Sequence, residues 1–182
     1  MLRNKDILDE KNKLLRTKSK DIVFPLSQED KDTINNMIEY LTNSQIDELA
    51  EKYDLRPGMG MAAIQLGIPK RYFTVVYEKA EGKFETYIVI NPKIISTSSE
   101  KIYVEDGEGC LSINRPTEGI IPRHARITVE GFDINGNKTK FRVREEVAIA
   151  FQHEMDHLDG ILFIDRIDKK NPYKDMDKYR AI

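Results

Sequence analysis

Two of the chain's three histidines stand four residues apart, in the run His153-Glu154-Met155-Asp156-His157. That spacing puts both imidazoles on one face of a helix, roughly 5–6 Å apart. The flanking residues predict the helix. From about Glu145 to Leu158, Val147, Ala150, Phe151 and Leu158 form an apolar stripe, and Gly160 is placed to end it. The stripe holds the histidines against a core, which distinguishes the run from solvated polar residues on a free surface helix.

Two imidazoles so arranged can take adjacent vertices of one metal polyhedron. Glu154, directly after the first histidine, lies near such an ion but is poorly placed to ligate beside the histidines. It is suited instead to take a proton from water that the ion has made acidic. Coordination can bring the pKa of water from about 15.7 to about 7. The single cysteine offers a third ligand: Cys110, in Glu108-Gly109-Cys110-Leu111-Ser112, follows a glycine on an expected turn. A lone cysteine is more often a small core residue, but a thiolate on such a turn is a good soft ligand for Zn(II) or Fe(II). Three protein ligands leave one position open, as catalytic sites require.

The remaining sequence reads as α+β. Pro25 to about Asp54 is predicted helical. Ser27 caps a first helix with Asp30 three residues on, and Ser44 with Asp47 caps a second, shorter one. Strands are predicted at Tyr72–Tyr77, Thr86–Ile90, Lys93–Ser96, Lys101–Glu105, Arg126–Phe132 and Thr139–Val143, and Asn135-Gly136 marks a hairpin between the last two. The expected architecture is therefore antiparallel strands packed around a central metal-binding helix, with an N-terminal helical region. No linker or repeat divides residues 1–182, which are read as one domain.

Charge and hydropathy limit the partners. The formal net charge of −2 argues against general nucleic-acid binding, DNA included. No apolar run approaches the ~20 residues of a membrane span, and the N-terminus lacks a secretory pattern, so a cytoplasmic protein without a membrane partner is expected. Residues 1–20 hold seven Lys/Arg against three Asp/Glu, and the tail from Arg166 holds six against three. These basic ends are either solvated or in contact with an anionic partner such as RNA.

A third segment, Gly58-Met59-Gly60-Met61-Ala62-Ala63-Ile64-Gln65, is small enough for close approach of another backbone or a substrate. It lacks the Lys-Ser/Thr ending of a phosphate loop and the strand–helix setting of a dinucleotide fingerprint. Taken in order, GMGMAAIQ, EGCLS and QHEMDH resemble the three signature segments of the peptide deformylases. The resemblance runs from about the first helix to Ile167, and the extended region before Gly58 and the helix-poor tail resemble the subclass common in Gram-positive bacteria.

The resemblance implies an enzyme that removes the formyl group from the initiator N-formylmethionine of nascent polypeptides and releases formate. It implies Cys110, His153 and His157 as ligands of one divalent ion, Fe(II) in the cell, with Zn, Ni or Co able to replace it. Glu154 is the implied general base, and the Gln65 amide and the Leu111 N–H are the implied oxyanion donors. Gly60, Met61, Gly109, Ile149 and Ala150 are implied on the substrate side, Gly60 and Met61 through strand-like backbone pairing with the peptide, and Ile149 and Ala150 near the methionine. Ile149 and Ala150 also fit plain core packing. Glu108 and Arg123 match positions that pair and would brace the Cys110 loop. His124 is expected at the surface. Ile64 departs from the proline more usual before the glutamine, which removes no group with a chemical role. A monomer with transient ribosome contact is expected.

Two other classes share parts of this pattern. A zinc endopeptidase has the same histidine run but recruits a further His or Glu as third ligand. A structural metal module needs a fourth protein ligand and no Glu154.

Overall fold

The Ser27 hydroxyl accepts the Asp30 N–H at 3.1 Å and donates to the Asp30 carboxylate at 2.7 Å, which starts helix α1, Gln28–Ser44. In this computed structural model, which describes residues 1–182, α1 buries Ile34, Met37, Tyr40 and Leu41. Helix α2, Asp47–Tyr53, ends at Asp54 in the left-handed conformation. Ser44 does not cap α2 as expected. Its hydroxyl donates to the Leu41 carbonyl at 2.9 Å and accepts the Gly58 N–H at 3.2 Å, so it ties the end of α1 to the segment that leads into the site.

The strands are β1 (Gly60–Ala62), β2 (Tyr72–Ala80), β3 (Lys83–Thr97), β4 (Lys101–Tyr103), β5 (Arg123–His124), β6 (Arg126–Phe132), β7 (Lys138–Arg144) and β8 (Arg180–Ala181). Five make one sheet in the order β1-β2-β3-β6-β7, with every neighbour antiparallel. A smaller sheet runs β5-β4-β8. The two strands expected at Thr86–Ile90 and Lys93–Ser96 are halves of β3, which continues across Asn91-Pro92 by a register shift. Proline cannot donate to the ladder. Asn91 turns there with φ 49° and bonds the Ile22 backbone at 2.8 and 2.9 Å instead. Strands β1, β5 and β8 were not predicted, because runs of two or three residues carry no periodicity. The Asn135-Gly136 turn joins β6 to β7 as expected, with Gly136 at φ 82°.

Helix α3 spans Glu145–Leu158, the predicted range. It lies on one face of the sheet, where Phe151 sits edge-on to Phe73 at 5.2 Å and to Tyr87 at 5.3 Å. Helix α1 covers the other face over Tyr72, Val76 and Ile90. The alternation of β2 accounts for both: Phe73 and Val75 point to α3, Tyr72 and Val76 to α1. Every side chain of α3 from Val147 to Leu158, except Met155, is buried, so the two histidines are fixed by the core. Gly160 at φ 74° ends the helix, and its α-carbon passes the Arg16 carbonyl with no room for a side chain.

Candidate active site and metal centre

Edge strand β1, helix α3 and the Cys110 turn enclose a cavity of about 520 Å³. At its floor, one donor atom from each of Cys110, His153 and His157 lies within 4.8 Å of the others. The Cys110 Sγ is 3.3 Å from Nε2 of His157. His153 donates from Nδ1 to Glu108 at 2.9 Å, which leaves its Nε2 free to hold an ion.

The donor set fits a divalent ion. One soft thiolate and two imidazoles suit Zn(II), Fe(II), Co(II) or Ni(II). Burial opposes a charge on His153, yet Cys110 and Glu108 raise its pKa well above the ordinary value. Burial and a positive His153 lower that of His157. Glu154 is buried with its Oε2 unbonded. Burial, foremost, pushes its carboxyl up to about 7, against the attraction of His153.

Gly60 faces Glu154 across the cavity. A β-carbon at Gly60 would lie 2.4 Å from Glu154 Oε1, so the strand comes this close only without a side chain. Gln65, in the turn after β1, is almost wholly buried. Its Oε1 accepts the Ala62 N–H at 2.9 Å, and its Nε2 donates to Ser112 Oγ at 3.1 Å beside Cys110. The Leu111 N–H has no acceptor within the protein. Its carbonyl accepts from Arg56.

Behind His153 runs a chain of charges, buried at Glu108, Arg123 and Asp156 and reaching the surface at Arg166. Arg123 donates to both oxygens of Glu108, at 2.7 and 3.0 Å, and to Asp156 at 2.7 Å. Arg166 donates to both oxygens of Asp156 at 2.5 Å. For Glu108 burial is the largest influence and opposes ionisation, but the hydrogen bonds from His153 and Arg123 outweigh it and hold the carboxyl down at about 2.

Of the residues expected at the site, Cys110, His153, His157, Glu154, Gln65, Leu111, Gly60, Gly109, Ile149 and Ala150 gather around this cavity. Ile149 and Ala150 both line it and pack in the core, so the two readings of them coexist. Met61 differs in one respect: its side chain is wholly buried on the α1 side of the sheet, because β1 alternates and Gly60 takes the inward position, so only its backbone is available for the strand-like pairing expected of it. The Glu108–Arg123 pair forms as expected, and Glu108 also orients a ligand. His124, expected at the surface, is half-buried, with its Nδ1 2.7 Å from the Ser98 carbonyl. Arg56 and Asp156 were not anticipated. Asp156 stands inside the histidine run, and an acid one residue before a ligand was the available signal.

A model of the family described as polypeptide deformylase matches residues 4–173. The chain is 47% identical over 173 residues to "Peptide deformylase 2" of Bacillus anthracis, covering 95% of this chain and 94% of that one. It is 49% identical over 175 residues to a peptide deformylase of Halalkalibacterium halodurans, covering 96% of each. The crystal structure of peptide deformylase from Thermotoga maritima superposes with a TM-score of 0.69 at 34% identity, over 89% of this chain and 96% of that one. With such matches along nearly its whole length, the chain belongs to the polypeptide deformylase family, in the Gram-positive type.

Proposed function

We propose that the chain is a metal-dependent amide hydrolase that removes the formyl group from the N-formylmethionine of nascent polypeptides. The observation that carries this reading is the convergence of Cys110, His153 and His157 at the floor of the cavity, beside Glu154 and Gln65. A divalent ion held there would supply Lewis acidity, making water a nucleophile at neutral pH.

The chain's own groups do the rest. Glu154, with its carboxyl near neutrality, takes the proton of the attacking water and returns it to the leaving amine. Water adds to the formyl carbon, the C–N bond breaks, and formate and a free methionyl amine result. The Gln65 Nε2 and the Leu111 N–H donate to the oxygen that gains charge. Gln65 is preset for this, because the Ala62 N–H fixes which end of the amide faces the cavity. Ile149 and Ala150, one turn before His153, offer apolar surface to the methionine side chain. Gly109 leaves room beside the Cys110 turn, since a β-carbon there would meet nothing within 4 Å. The peptide extends along the outer edge of β1, whose backbone has no strand partner on that side.

Iron(II) is the proposed working ion, with zinc, nickel and cobalt as substitutes the ligand set accepts. The enzyme is read as a cytoplasmic monomer, since nascent chains arise in the cytoplasm. No helix is long and apolar enough to cross a membrane. Formate release from formyl-Met-Ala-Ser by the iron-loaded protein, with no cleavage of the unformylated peptide, is the expected result. Cleavage of internal peptide bonds would favour an endopeptidase instead.

A further inference from the structure

Helix α1 covers only part of its face of the large sheet. The part built from the end of β3, β6 and β7 is open, and it is cationic. Along β7, Lys138, Lys140, Arg142 and Arg144 alternate with Thr139, Phe141 and Val143, so all four cations share one face, and all four are exposed. Across the ladder, Arg126 pairs in register with Arg144, Thr128 with Arg142, and Glu130 with Lys140. On β3, Ser96 is opposite Thr128 and the exposed Lys93 is opposite Glu130. Paired residues point to the same side, so Lys93, Arg126, Lys138, Lys140, Arg142 and Arg144 form one surface.

Neutralisation is incomplete. Glu130 reaches Lys138 at 3.2 Å and Lys140 at 3.7 Å. Glu100 is shared between Arg126 and Arg180, each at 2.9 Å. Arg142 and Arg144 have no acidic partner. They flank a depression of about 380 Å³ that Ser96, Ser98, Thr128 and Arg126 also line. In a chain of net charge −2, this concentration departs from the average. The tail, where the sequence suggested an anionic contact, is better neutralised: Lys174, Lys178 and Arg180 pair with Asp168, Asp175 and Glu145.

We infer that the open face of β6–β7 is a docking surface for the phosphate backbone of RNA. Unpaired guanidiniums beside hydroxyls are the groups that hold phosphate oxygens. Six cations share this face with one aromatic residue, Phe132, which pairs with Lys138 and packs on Phe24, and Ile127 and Val143 at the depression are buried. A face so dominated by charge suits a polyanion better than a bilayer, which requires an apolar face to insert. The metal cavity opens on the α3 side of the sheet, so RNA held here leaves it free. This inference does not depend on the reaction proposed above.

The test is fluorescence anisotropy with a labelled oligouridine at about 50 mM and about 200 mM salt. Binding is expected, with a log–log salt slope near about −3, as four phosphate contacts on a single strand give. The double variant Arg142→Glu/Arg144→Glu should bind at least about ten-fold more weakly, because two contacts become repulsions. Its formate release should be unchanged, which also reports that it folds. Lys11→Glu/Lys13→Glu, at the N-terminus, should bind like the parent. No binding at the lower salt, equal binding by the β7 variant, or binding to phosphatidylserine vesicles but not to RNA would overturn the inference.

Discussion

The Glu108 carboxylate accepts the Nδ1 proton of His153 at 2.9 Å while both its oxygens are held by Arg123. One buried acid thus sets the orientation and the tautomer of His153, a ligand in the proposed metal centre. Glu108→Ala is expected to weaken metal affinity about 10–100-fold, the usual cost of losing such a partner. It also leaves Arg123 buried with only Asp156, so stability should fall by about 3 kcal/mol or more. Metal titration into apo protein checks the first effect and urea unfolding the second. Unchanged affinity would remove Glu108 from the site.

Gly60 is predicted to be a positioning residue for Glu154. A β-carbon there meets the Glu154 carboxylate at 2.4 Å, and both groups lie on rigid elements. Gly60→Ala should displace Glu154, the proposed base, by a fraction of an ångström to an ångström, which costs roughly 10²-fold in kcat. Metal content should be unchanged, because the atoms nearest an added β-carbon all belong to Glu154 and none to the three donor residues. A variant with full kcat would show that Glu154 tolerates the shift.

The helix and its histidines were legible because a 3.6-residue period and a four-residue spacing are local properties of sequence. Arg126–Phe132 was legible for the same reason, its buried residues alternating with partly exposed ones. What sequence could not yield were contacts made across the chain. Ser44 looks like a cap because it precedes Ile46-Asp47, yet its hydroxyl is taken by Gly58, fourteen residues away. The direction of the Met61 side chain was not legible, because the side of β1 it faces is set by pairing with Thr74. The expected acid–base pair of Glu108 and Arg123 was found, whereas its extension through Asp156 to Arg166 depends on α3 packing against the tail.

Gln65→Ala should lower kcat about 10²–10³-fold with little change in KM, because in the proposed reaction its amide donates where charge develops. The Ala62 N–H also loses its acceptor, so a modest loss of stability, about 1 kcal/mol, should accompany it. Steady-state kinetics separate the two. A rise in KM at constant kcat would mean that Gln65 binds substrate rather than the transition state.

Asp30 should confer stability that depends on pH. Burial opposes its ionisation, but hydrogen bonds from Lys70 and Ser27 outweigh this and lower its pKa from 3.8. Lys70 Nζ is 2.7 Å from both oxygens, joining α1 to the segment before β2. A depressed carboxylate stabilises the fold fully above its unfolded pKa and loses that effect as pH falls through the folded value. Asp30→Asn should therefore unfold at lower urea than the parent at pH near 7, and the gap should narrow below about pH 4. A gap independent of pH would assign the loss to packing alone.

The identity of the ion should govern how the protein behaves in air. Cys110 is partly exposed at the cavity, and its sulfur lies beside the two imidazoles. A thiolate beside Fe(II) is open to oxidation, and once the sulfur is oxidised beyond the sulfenic state the ligand is lost for good. Protein purified in air should therefore lose activity, and chelation should abolish what remains. Nickel or cobalt added to freshly stripped protein should restore turnover, because both accept this ligand set and resist oxidation in it. Protein left long in air with iron should regain less, in proportion to the Cys110 sulfur found oxidised by mass spectrometry. An iron-loaded protein that keeps full activity in air would count against iron with an oxygen-accessible thiolate as the working site.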